Sequence, residues 1–167
     1  MSYKIIFIKQ KEKNMGTRYK GTEKEMTALN TFLKLVRAAE STLSRVSAAL
    51  SKSNLTESQY AILDALYHIG PLFQKDLGNK LLKTGGNITL VIDNLEKRKL
   101  VIRERREQDR RYFTIHLTKQ GKSLFQKVFP GYLKSVMEEM QKLSKSDQVE
   151  LQRLCKIIGL TPVSSKK

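Results

Sequence analysis

The amino-acid sequence predicts a mainly α-helical fold carrying one small β-hairpin. Three observations point there. Apolar residues recur at helical spacing through most of the chain, the period switches to strict alternation only over residues 112–117, and basic residues crowd around that switch. The 167 residues suit one domain with added helices for association, and a hydrophobic content of 40% suffices for a core. Lys and Arg number 32 against 16 acidic residues, a formal net charge of +16. A chain so basic repels itself at neutral pH, which implies a polyanionic partner, either nucleic acid or a membrane surface.

No apolar run approaches the roughly 18 residues that a spanning helix needs. Ile5-Ile6-Phe7-Ile8 is too short for a secretory signal. The single cysteine, Cys155, cannot form an internal disulfide. Together these features predict a cytoplasmic protein without membrane association. Residues up to about Thr22 are basic and aperiodic. They read as a flexible arm, or as a reading frame that begins ahead of a true start at Met15.

The first periodic segment covers about 27–50. Leu29, Val36, Leu43 and Leu50 fall seven apart, with Phe32, Ala39 and Val46 interleaved, an a/d seam on a helix. The same pattern serves a core-facing stripe or a subunit contact. A second helix starts at Thr56, where Thr56 and Gln59 have capping-box spacing and Leu55 and Tyr60 that of a hydrophobic staple. Ile62, Leu63, Leu66 and Ile69 supply its buried face, and Gly70-Pro71 ends it. A short helix follows near 74–81, and another begins at Thr84. From Leu100 the pattern becomes that of a two-stranded ribbon, with Phe113, Ile115 and Leu117 on one face and Tyr112, Thr114 and His116 on the other. Thr118 caps a long helix to about Leu143, with Phe125, Val128, Tyr132, Val136 and Met140 on one side. Ser144 and Asp147 cap a last helix bearing Leu151, Leu154 and Ile158, closed by Gly159 and Pro162.

Two short helices joined by a tight turn and followed by a basic hairpin make a winged helix-turn-helix, a shape the DNA major groove accepts. In the helix from Thr84 to about Arg98, Ile88, Val91, Ile92 and Leu95 form the inward stripe, leaving Gly86 and Leu90 outward with Asn87, Thr89 and Asp93 on the flanks. Gly85 and Gly86 open it, and mid-helix glycine costs about 1 kcal/mol against alanine. A phosphate approaching the free N–H groups of the first turn would explain the pair; a loose helix start would too. Asn87 can bond an adenine edge, and Leu90 and the Thr89 methyl can touch a thymine methyl. Residues 97–111 hold eight basic side chains (Lys97, Arg98, Lys99, Arg103, Arg105, Arg106, Arg110 and Arg111) and three acidic ones. Lys97, Arg105 and Arg106 suit phosphate. Arg110 and Arg111 near the hairpin tip suit the minor groove. Asp109 fits a structural role, capping the turn and orienting Arg111 by an ion pair.

The run of Leu55-Thr56, Gln59, Asn87-Ile88-Thr89, Asp93-Asn94-Leu95-Glu96-Lys97-Arg98, Leu100-Val101, Arg103, Asp109-Arg110-Arg111, Leu117-Thr118 and Gly121 resembles the MarR family of bacterial transcriptional regulators. The resemblance covers about 26–160. It implies a homodimer held by the first and last helices, binding a near-palindromic operator in double-stranded DNA, with Arg111 entering the minor groove. Residues 1–25 are then a basic arm, 26–54 a dimerisation helix, 55–117 the DNA-binding domain, 118–160 the C-terminal dimerisation helices and 161–167 a tail. Leu29, Phe32, Val36, Leu43, Leu154 and Ile158 become dimer contacts. It further implies a repressor released by a small, often aromatic, ligand or by thiol oxidation. Phe32, Tyr60, Tyr67 and His68 are the candidate ligand contacts, each equally at home in ordinary core. Two departures stand out: Lys99 occupies a position usually glycine, and Glu107-Gln108 stands where proline is common.

Cys155 shares the apolar side of the last helix and is expected to be a small buried hydrophobe. The two histidines, His68 and His116, lack metal-ligand spacing, and no phosphate-binding or dinucleotide loop occurs, so neither metal, cofactor nor catalysis is expected. The rival to a sequence-specific regulator is an architectural protein that coats DNA through phosphate contacts alone.

Overall fold

The computed structural model describes residues 16–81, 85–105 and 113–160. Two compact units divide between Ser44 and Arg45. In the first, Thr22 and Glu25 form a reciprocal cap: Glu25 N donates to Thr22 Oγ1 (3.3 Å) and Thr22 N to Glu25 Oε2 (2.8 Å). Thr22 Oγ1 also donates to Glu25 Oε2 at 2.8 Å, and the backbone bond, then this one, hold the Glu25 carboxyl below its ordinary range. Helix α1 (Glu23–Ser47) therefore begins inside the stretch expected to be an arm. Thr17 N also donates to Asn30 Oδ1 at 2.6 Å, tying residues ahead of the helix to its side. The heptad residues part company along α1. Leu29, Phe32 and Leu43 are exposed and Val36 half-buried, whereas Val46 is buried. Leu50 is also buried, but in a 3-10 turn (Ala48–Ser53) rather than the expected α-helix.

In the second unit, helix α2 (Glu57–Ile69) starts with the predicted capping box, Gln59 N to Thr56 Oγ1 at 3.2 Å and Thr56 N to Gln59 Oε1 at 3.0 Å. Ile62, Leu63 and Leu66 enter the core; Ile69 does not, being exposed in the last turn before Gly70 takes φ 96°. Strand β1 (Leu72–Phe73) was not foreseen, and α3 (Gln74–Lys80) follows it directly. Helix α4 (Gly85–Lys97) buries Ile88, Ile92 and Leu95 against α2 and α3. Strands β2 (Val101–Arg105) and β3 (Phe113–Leu117) pair antiparallel, Val101 opposite Leu117 and Arg105 opposite Phe113. Leu72 pairs with Ile115 on the other side, so the sheet order is β1-β3-β2. The expected two-stranded ribbon is thus a three-stranded sheet with β3 central. Both its faces are at least partly covered, and the clean in/out division expected of residues 113–117 is lost.

Helix α5 (Lys119–Met140) begins at Thr118, whose Oγ1 accepts from Gly121 N at 2.9 Å, and ends one turn before the expected Leu143. Phe125 is its deepest residue. Glu139, near the end of α5, is held between Arg45 (2.7 Å) and Lys142 (2.6 Å). Helix α6 (Lys145–Leu160) is capped by Ser144, which accepts from Asp147 N at 3.2 Å, and runs through Gly159 rather than stopping there. Residues 149–159 are exposed throughout. That overturns the burial expected of Cys155: in the single chain its helix face is open, and the thiol is exposed.

The join between α4 and α5 is close. Leu100 N donates to Leu95 O (3.0 Å) and Lys99 N to Glu96 O (2.8 Å), the paired bonds of a Schellman cap, with Lys99 itself at φ 59°. Lysine bears the left-handed conformation that glycine would take more cheaply. Thr118 then clasps this cap, its N donating to Leu100 O (3.1 Å) and its Oγ1 to Lys99 O (2.7 Å). Gly121 lies so close that an added Cβ would sit 2.1 Å from Leu100 O.

Candidate nucleic-acid interface

The apolar stripe of α4 faces inward, so the opposite face is presented to solvent. Gly86, Asn87, Thr89 and Leu90 are all exposed, Leu90 at 61%, a large apolar side chain left in water on an otherwise well-packed helix. Gly85 is the first residue of α4, while Thr84 lies outside the described residues. A Cβ on Gly86 would meet nothing within 4 Å, so packing within the chain does not demand glycine there. Thr89 Oγ1 accepts from Gln74 Nε2 of α3 at 2.8 Å.

The basic run divides by role. Lys97 and Arg105 are exposed, and the Arg105 guanidinium lies 5.4 Å from the centre of the Phe113 ring. Arg98 is turned inward, donating to Asn54 O at 2.7 Å and Ser53 O at 3.2 Å. Arg103, only 17% exposed, is paired with both Asp93 and Glu96 of α4. Of the five cations of this run that lie among the described residues, two therefore hold the fold together. Nothing in a basic run distinguishes such residues; the carboxylates of Asp93 and Glu96, at helical spacing, were the available signal. Arg106, Asp109, Arg110 and Arg111 lie outside the described residues.

The candidate ligand residues separate as well. Tyr60 is core, its ring centre 4.2 Å from that of Tyr132 and 5.7 Å from that of Phe125. Its hydroxyl is buried without a hydrogen-bond partner among the described residues, and burial, then Asp64 and Tyr132, push its pKa upward. Tyr67 stands 4.6 Å from Phe125, and His68 packs edge-on against Phe125 and Phe129. Phe32 is half exposed on α1, in the other unit. The partners of these rings, Phe125, Phe129 and Tyr132, come from α5, at a sequence distance no local pattern reveals. Among the described residues no cluster of His, Cys, Asp or Glu could hold a metal ion, and no helix is long and apolar enough to cross a membrane.

The MarR family profile matches residues 55–113, from the residue before the α2 cap to the start of β3. The HTH-type transcriptional regulator MhqR of Bacillus subtilis is 32% identical over 133 residues, covering 80% of this chain and 92% of that protein. The chain belongs to the MarR family. It is accordingly a DNA-binding transcriptional regulator and not an enzyme. The crystal structure of AbsC, a MarR family regulator from Streptomyces coelicolor, superposes with a TM-score of 0.74 at 27% identity, covering 86% of this chain and 96% of that one. Sco3205 from the same organism, solved in complex with DNA, gives 0.77 at 20% identity over 89% of this chain and 96% of that one, a likeness of fold. In this MarR-family protein the matched segment carries α2 to β3, the elements that present the exposed face of α4.

Proposed function

We propose that this regulator acts as a homodimer that reads a near-palindromic operator, with α4 in the major groove. The exposed face of α4, Asn87, Thr89 and Leu90 backed by buried Ile88, Ile92 and Leu95, carries the reading. Gly85 and Gly86, with Thr84 before them, bring the helix start close to the backbone of the duplex. Lys97, Arg105 and Arg106 neutralise phosphates, and Arg110 and Arg111, supported by Asp109, enter the minor groove. Support for two lobes comes from apolar surface that a lone chain leaves in water: Leu29, Phe32 and Leu43 on α1, and Leu151, Leu154 and Ile158 on α6. Sco3205, solved in complex with DNA, shares this fold, which supports the fold as one that engages DNA.

The outcome is repression, relieved by a small aromatic ligand or an oxidant. For an oxidant, Cys155 is an exposed thiol. For a ligand, Phe32, Tyr60, Tyr67 and His68 are the contacts to test.

The deciding experiment selects bound sites from random duplex DNA and compares affinity for the selected site with that for unrelated DNA at physiological salt. A preference of 10³ or more, the order expected of specific binders, supports operator reading. Equal affinity would leave only coating through phosphates. Asn87→Ala should relax base preference at one position, and Arg111→Ala should weaken operator binding while leaving the dimer intact.

A further inference from the structure

Two side chains outside the exposed face of α4 converge on a single residue within it. Gln74 Nε2, on the first turn of α3, donates to Thr89 Oγ1 at 2.8 Å. From the other side, Arg103 Nη2 on β2 donates to Thr89 O at 3.4 Å. The same guanidinium reaches Asp93 Oδ1 through Nη2 and Glu96 Oε2 through Nη1 (2.7 Å), while Arg103 N donates to Glu96 Oε1 at 3.0 Å. Thr89, Asp93 and Glu96 lie along one edge of the helix, at i, i+4 and i+7, and only a planar fork of donors serves all three at once. Lysine at 103 would keep the charge and lose the geometry.

The far end of α4 is secured separately, by the Schellman cap at Lys99 and by Arg98 on the carbonyls of Ser53 and Asn54. The half bearing Asn87 and Leu90 begins with two glycines, which have no side chains to brace it. Base-edge contacts tolerate only about 0.5 Å of misplacement, so lateral supports at Thr89 bear directly on what the helix reads.

We propose that Gln74 and Arg103 are positioning residues for base recognition, gripping α4 at Thr89 between α3 and β2 and so setting its roll and depth against the duplex. The inference rests on α4 being the reading helix, and Arg103 is excluded from a phosphate role. Its charge is already outnumbered by two carboxylates, so its removal should not lower the salt dependence of binding, as loss of a phosphate contact would by about one unit of slope.

The test uses the full chain and four variants, each checked for its melting temperature: Gln74→Met, Arg103→Lys, Asp93→Asn and, as a control on the reading helix, Asn87→Ala. For each, affinity is measured for the selected site, for its single-base variants and for unrelated DNA over a series of salt concentrations. Gln74→Met and Arg103→Lys should each lose about fivefold of base discrimination, the worth of one hydrogen bond, with unchanged salt slope. Asp93→Asn, which keeps an oxygen for the guanidinium, should retain discrimination. Gln74→Met touches a bond at the surface, so it keeps the test valid should Arg103→Lys fold poorly. Unaltered discrimination in both variants, beside its loss in Asn87→Ala, would overturn the positioning role alone. Uniform weakening with a shallower slope in a fifth variant, Arg103→Gln, which removes the charge, would make Arg103 a phosphate contact instead. Full discrimination in Asn87→Ala would refute α4 as the reading helix, and the inference with it.

Discussion

Replacing Gly121 by alanine tests the junction that joins α4 to the long helix α5. The new Cβ would stand 2.1 Å from Leu100 O, 2.8 Å from Leu117 Cδ1 and 3.0 Å from Leu100 C. Backbone cannot swing aside as a side chain can, so α5 must retreat from the cap by more than an ångström. Overpacking of this kind costs about 1–3 kcal/mol. The retreat also stretches the bonds from Thr118 to Lys99 O and Leu100 O, each worth about 1 kcal/mol. Against this, alanine favours a helix interior by about 1 kcal/mol. The balance is a loss of about 2–4 kcal/mol, or about 4–16 °C in melting temperature at this chain length. Gly131→Ala in the same helix is the control, because its Cβ would meet nothing within 4 Å and should bring only the propensity gain. Thermal unfolding followed by circular dichroism, at one protein concentration to hold any association constant, compares the two. A Gly121→Ala protein that melts with or above the wild type would refute the close approach and the clasp built on it.

Lys99→Gly should stabilise the protein by about 1 kcal/mol, since the left-handed cap at φ 59° no longer opposes a side chain; a lower urea midpoint would contradict this. Glu139 is held down to about 2 by its bonds from Arg45 and then Lys142, against an ordinary 4.5. Because the folded value lies below the unfolded one, its stabilisation is present above about pH 4.5 and fades as pH falls towards 2. Unfolding midpoints of wild type and Glu139→Gln should therefore converge on acidification, and a constant gap would place the effect elsewhere. Leu154→Glu with Ile158→Glu should leave a folded monomer in sedimentation analysis, whereas an undisturbed dimer would remove α6 from the proposed contact.

What the sequence determined by itself was local or periodic. The cap at Thr56, the inward stripe of α4, the change of period into the wing and the Thr118 helix start all depend on residues within a few positions of each other, and each stands where the pattern put it. Lys99 was legible as an anomaly only through the family resemblance, which places glycine at that helix exit. Tertiary structure decided what depends on residues far apart in the chain. Strand β1 is two residues long, too short for any periodicity, and exists because β3 offers it an edge. The aromatic packing of Tyr60 and Tyr67 waits for rings from α5. Cys155 and Ile69 follow an apolar pattern that says which residues share a face; it does not say whether the same chain covers that face. The charge of residues 97–111 was plain from composition, but charge has no direction until the backbone is folded. Only then do Arg98 and Arg103 turn inward onto carbonyls and carboxylates, leaving Lys97 and Arg105 facing solvent.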